Sequence, residues 1–159
     1  MQVFKKKPWI TLDKPRFKTD KSLLLYLKKK KIFLSPWILD IFKKKKFKNV
    51  KYPVRLYKVK VTDLGFNVPT ELKNIYSKLK QKGFKLLAPE YILLARLKYL
   101  NQKKGNWIRF ATPLNSMIDR DGVPHLPKLG SALGFLFIET YWSYPKAIFY
   151  PHNEFVVTR

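Results

Sequence analysis

The chain has no cysteine, which excludes a disulfide framework, a thiolate-bound zinc and a cysteine nucleophile. Acidic residues are scarce: ten Asp and Glu stand against 34 Lys and Arg, for a formal net charge of +24. Glycine appears six times and never as a Gly-x-x-x-x-Gly-Lys phosphate cradle, so nothing points to ATP-driven chemistry. Ser116 and Ser131 lack the Gly-x-Ser-x-Gly elbow of a serine hydrolase. No apolar run approaches the roughly 20 residues of a membrane-spanning helix. The opening MQVFKKKPWITLDK has neither the apolar core of a secretory signal nor the Arg- and Ser-rich pattern of an import peptide. It reads as part of the mature chain. The expected compartment is intracellular, either cytoplasm or organelle matrix.

What is present is hydrophobic and basic at once. A hydrophobic fraction of 46% with 16% aromatics is too high for wholesale disorder, despite the charge. The charge is uneven: residues 1–105 hold 29 Lys and Arg against 6 Asp and Glu, and residues 106–159 hold 5 against 4. That asymmetry assigns a polyanion to the first part and a neighbouring protein to the second. Of the basic residues 28 are lysine and 6 arginine. Lysine suits neutralisation of a backbone better than bidentate reading of a base edge, so affinity without much sequence reading is expected.

The segment KKKKIFLSPWILDIFKKKK, residues 28–46, concentrates both properties. Phe33, Leu34, Trp37, Ile38, Leu39, Ile41 and Phe42 need a core, and eight flanking ammonium groups need negative charge, for which a nucleic-acid backbone is the natural source. Ser35 followed by Pro36 is a helix start, with serine as N-cap and proline at the first helical position. Before it, Asp20 is positioned to cap a helix over residues 21–31. Both helices run out into lysines, as the helix dipole favours. Residues 1–21 mix Lys, Pro and aromatic residues without periodicity and read as an extended arm that can track phosphates.

Further along, residues 52–62 alternate like a half-exposed strand, with a basic outer side suited to a sheet edge. Thr70 is placed to cap a helix over residues 71–82, with Leu72, Ile75, Tyr76 and Leu79 on one face and Gly83 at its end. Pro89 and Glu90 open YILLARLKYLN, apolar on most sides and so a buried helix, or alternatively a central strand. Residues 106–112 alternate like a strand, 113–131 read as loop, 132–142 as an apolar strand and 154–158 as a last short one. The expected fold is α+β: short N-terminal helices and a basic extension over 1–60, then a compact domain over 61–159 with a small antiparallel sheet packed on two helices.

The function this supports is non-catalytic: an RNA-binding component of a ribonucleoprotein, ribosomal or ribosome-associated, with no cofactor. RNA is preferred to DNA because lysine-rich, arginine-poor surfaces suit recognition by shape and phosphate. The expected contacts are Lys5, Lys6, Lys7, Trp9, Lys28, Lys29, Lys30, Lys31, Lys43, Lys44, Lys45, Lys46, Lys48 and Lys51, with Phe17, Phe47 and Tyr52 as further stacking groups. Two alternatives use the same partner. One is a small metal-dependent nuclease or toxin using Asp119, Asp121, His125, His152 and Glu154, although Asp-Arg-Asp-Gly is also ordinary turn chemistry. The other is a DNA-binding module inserting the helix over 35–46 into a major groove, although that helix lacks Arg, Asn or Gln readers. The same helix also has the look of an interfacial membrane helix, but the apolar elements that follow offer its side chains a core instead.

Overall fold

A computed structural model describes residues 5–44 and 50–159. Among these, the chain runs β1 (Ile10–Leu12), α1 (Asp20–Lys29), β2 (Phe33–Leu34), α2 (Pro36–Lys44), β3 (Val54–Lys60), β4 (Thr70–Glu71), α3 (Leu72–Gln81) and α4 (Tyr91–Lys98). It continues through β5 (Trp107–Phe110), β6 (His125–Ala132), β7 (Phe135–Trp142), β8 (Ile148–Phe149) and β9 (Glu154–Val157). Seven strands form one sheet in the order β1-β3-β9-β5-β6-β7-β2, and β4 pairs with β8 separately. The β5–β9 and β2–β7 pairs are parallel and the others antiparallel.

The architecture is therefore α+β, but the sheet is larger than the small antiparallel one expected. Three of its strands come from the first sixty residues, and a fourth, β6, comes from the stretch read as loop. Pro127 and Gly130 make β6 look broken in sequence. In the sheet, Pro127 lies one residue past the end of the β5 pairing, which stops at Lys128, so its missing N–H interrupts no ladder there. Gly130 is required by packing: a Cβ on it would fall 2.0 Å from Cζ3 of Trp107, whose indole lies against the glycine backbone. The strand over 54–60 is not an edge either, because β1 pairs along its outer side, Ile10 opposite Leu56.

The sheet is covered along one face and over part of the other. On one, Leu56, Ile108, Phe110, Leu129, Ile138 and Val156 pack with Leu23, Leu24 and Leu27 of α1, Ile38, Ile41 and Phe42 of α2, and Ile92 and Ala95 of α4. On the other, Tyr57, Val59, Phe155 and Val157 pack with Leu72, Ile75 and Leu79 of α3. Leu56 and Tyr57 of β3, and Phe155, Val156 and Val157 of β9, point alternately into the two cores, which is why apolar residues stand side by side there. The first core draws on both sides of residue 60.

Helix starts follow local chemistry, with two corrections. Ser35 caps α2 as the sequence indicates, its Oγ accepting the Ile38 N–H at 3.2 Å. For α1 the cap is Thr19, whose Oγ1 accepts the Ser22 N–H at 3.1 Å; Asp20 is already helical and complements the dipole from the first turn. Thr70 does not cap α3, because it is committed to β4 opposite Phe149. The free N–H groups of Leu72 and Lys73 instead donate to the carbonyls of Ala147 and Pro145 at 2.8 and 2.9 Å. α4 is a helix with most of its sides buried, so the central-strand reading of this stretch does not apply.

Candidate nucleic-acid interface

Both lysine blocks sit where helices end. Lys28 and Lys29 form the last turn of α1, Lys30 is its C-cap, and Lys31 leaves the helix at φ 58°. All four are exposed, and among the described residues no carboxylate pairs with any of them. The Lys30 ammonium lies 5.4 Å from the centroid of Tyr26. Lys43 and Lys44 close α2, with Lys44 3.2 Å from Asp40 one turn earlier. Lys45, Lys46, Phe47 and Lys48 lie outside the described residues. Lys51 is exposed.

A groove between the two helices is lined by Asp20, Leu24 and Lys28 of α1 and by Leu39, Phe42 and Lys43 of α2. Lys28 of one block and Lys43 of the other therefore line the same groove. The hydrophobic faces turn inward, so the cations are held on a packed platform and not on a tail.

Residues 10–12, read from the sequence as part of an arm without a regular element, form β1 and pair with β3. Lys5 and Lys7 are exposed, whereas Lys6 bonds to the Lys58 carbonyl and to Asp63. Burial raises the Asp63 pKa, but the Lys6 bond and the Lys60 N–H outweigh it and hold the carboxyl below its ordinary value. Trp9 packs edge-on against Tyr99 at 4.9 Å under the Lys58 ammonium. Phe17 lies against Tyr26 at 5.1 Å and Tyr52 against Tyr91 at 5.6 Å. These aromatics line the margin of the first core.

The nuclease candidates divide into separate groups. Asp119 and His125 are buried together: Asp119 Oδ2 is 2.9 Å from His125 Nε2, and His125 Nδ1 is 2.9 Å from Thr140 Oγ1. The His125 bond and the N–H groups of Val123 and Asp121 hold the Asp119 carboxyl below its ordinary pKa. Trp37 stacks over the imidazole at 5.4 Å. Asp121 is exposed, His152 stacks on Tyr150, and Glu154 sits in β9 opposite Lys60. Among the described residues, no three His, Cys, Asp or Glu side chains gather as a metal site. The Asp119–His125 pair ties the 119–123 turn to the start of β6.

Lys128, Arg109, Trp107, Phe137 and Phe33 do not stand out in the sequence as a group. The sequence marks Phe33 as a residue that needs a core and Phe137 as part of an apolar strand, and only strand register sets the five side by side. No helix among the described residues is long and apolar enough to cross a membrane. The fold and this surface define an α+β protein with a lysine-bearing helical face. Compared with protein-family models, curated proteins and solved structures, the chain matches none.

Proposed function

We propose that this chain is a non-catalytic, RNA-binding component of a ribonucleoprotein, ribosomal or ribosome-associated, working in the cytoplasm or an organelle matrix. One observation carries the reading: Lys28, Lys29, Lys30 and Lys31 project from the end of a packed helix with no carboxylate of the described chain to neutralise them. Such a cluster gains most from a row of phosphates, whose condensed counterions it releases. The 28-to-6 ratio of lysine to arginine favours backbone neutralisation over base reading, and folded RNA over a DNA major groove. Residues 106–159 meet a neighbouring protein, to which the 43–58% exposed Trp142, Tyr144, Ile148 and Tyr150 offer apolar contacts.

The test is binding of labelled RNA over a range of salt, with and without magnesium. Replacing Lys28, Lys29, Lys30 and Lys31 together by glutamine should reduce the slope of log affinity against log salt by about 3, at roughly 0.7 for each phosphate left unneutralised. An unchanged slope removes this surface from the interface. RNA cleavage that needs magnesium and disappears in His125→Ala replaces the reading with the nuclease one.

A further inference from the structure

The register of four strands lays three aromatic residues in one line across the sheet. Phe33 of β2 pairs with Phe137 of β7, Phe137 with Gly130 of β6, and Gly130 with Trp107 of β5. Paired residues share a sheet face, so the three rings lie on one surface. Their spacing is close: Phe33 to Phe137 is 4.9 Å and Phe137 to Trp107 is 5.9 Å between centroids. Gly130 is the gap in the line, and the Trp107 indole fills it. None of the three belongs to either core or to the partly buried residues around it. Phe33 is 47% exposed, and Phe137 and Trp107 are half-buried.

The line is flanked by positive charge on both sides. One register step away run Glu139, Lys128 and Arg109. The Lys128 ammonium sits 4.7 Å from the Trp107 ring and 5.6 Å from Tyr141. Arg109 is half-buried beside Phe149 with its Nε unpartnered, and its guanidinium donates a long hydrogen bond to the Trp107 carbonyl. Burial and the neighbouring Arg109 lower the Lys128 pKa and Glu139 opposes them, so this ammonium gains from a further negative group. On the opposite side, β2, β5 and β7 all run in one direction, which brings the segments before them to the same end of the sheet. Those segments carry the exposed Lys31, Lys103 and Lys104.

We propose that the Phe33–Phe137–Trp107 line is a stacking platform for single-stranded RNA, with bases on the rings and phosphates drawn to Lys128 and Arg109 on one side and to Lys31, Lys103 and Lys104 on the other. Aromatic side chains between cationic rows suit this ligand, because every base has a π-face and every linkage a charge. Glu139 at the end of the Lys128 row discourages a phosphate there and favours a path toward Arg109. The proposal rests on the RNA-binding reading above and extends it to residues that the charge asymmetry had assigned to a protein neighbour. It also divides the labour: the helix-end lysines hold backbone of any shape, and the sheet selects unpaired strands.

The full-length chain is titrated with a labelled ten-nucleotide single-stranded RNA and with the blunt duplex of the same sequence, by fluorescence anisotropy. Phe33→Ala and Phe137→Ala should each weaken single-strand binding about 5- to 100-fold and leave duplex binding unchanged. Phe33→Leu, which keeps apolar bulk at a half-exposed site and removes the π-face, should weaken it too, and this variant decides the matter if Phe137→Ala unfolds. Equal binding of the single strand by all variants overturns the platform, including the case where the rings serve a protein contact. If RNA binding then still responds to glutamine at residues 28–31, the broader reading survives the loss. If neither RNA form binds the unmodified chain, both fall together.

Discussion

Asp119 shows how one carboxylate can organise a turn and a strand at once. Its Oδ1 accepts the N–H groups of Asp121 and Val123, both at 2.9 Å, and its Oδ2 meets His125. All of these interactions favour the ionised carboxyl, so its pKa lies below that of the unfolded chain, as does that of Asp63. The stability they confer is complete above the unfolded carboxyl value near 4 and is lost as pH falls through the folded values, where the native state must take up protons. Asp119→Asn keeps an oxygen for the two N–H groups and removes the titrating charge. The urea midpoint of the variant should fall less steeply between pH 5 and 2 than that of the parent chain. Parallel acid limbs would show that Asp119 does not titrate in this range.

At the scale of the elements, α4 is fastened to the sheet by a buried arginine. Arg96 is fully buried, and its guanidinium donates to Gln102 Oε1 at 2.7 Å, to the carbonyls of Gly130 and Phe137 at 3.2 Å, and to the Tyr99 carbonyl. No described carboxylate neutralises it, and burial pushes its pKa down to about 10. A planar fork reaches four acceptors in different directions and an ammonium cannot. Arg96→Lys should therefore cost about 2 to 4 kcal/mol in urea unfolding, from lost charge-assisted bonds and stranded carbonyls. A cost within about 0.5 kcal/mol would reduce the fork to filler.

Legibility in the sequence follows the range of the interaction. Ser35-Pro36 was readable because a cap is a bond between residues three apart, and α4 because its apolar sides are contiguous. The start of α3 was not, because the carbonyls that satisfy it come from Pro145 and Ala147, over seventy residues away. β6 was hidden by Pro127 and Gly130, which look like breakers until β5 is seen to stop short of one and to lay Trp107 on the other. Of the candidate interface, the exposure of Lys28, Lys29, Lys30, Lys31, Lys43 and Lys44 was visible in the helical patterns beside them. The seating of Trp9, Phe17 and Tyr52 at the core margin was not, since a basic-aromatic string reads the same docked or free.

On the scale of the whole molecule, a net charge of +24 on 159 residues sets the fold against itself. Close cations repel, and the compact state brings them closer than the unfolded chain does. Added salt screens that repulsion over a Debye length of about 10 Å at 0.1 M. The melting temperature should therefore rise between 20 and 300 mM sodium chloride, and rise further with a short RNA at fixed low salt, which binds the native state selectively. A melting temperature indifferent to both would mean that the lysines are too dispersed to strain the native state. Either result reports on the charge distribution without reference to any one contact.

The position of β9 has a temporal consequence. Glu154–Val157 lies between β3 and β5, bonded to both, although β3 is translated about a hundred residues earlier. While the chain is being made, the backbone ladder between β3 and β5 stays open until this segment leaves the exit tunnel. The lysine-rich helices are thus presented to the anionic surroundings of the translating machinery before their scaffold closes, and completion waits on a handful of late residues.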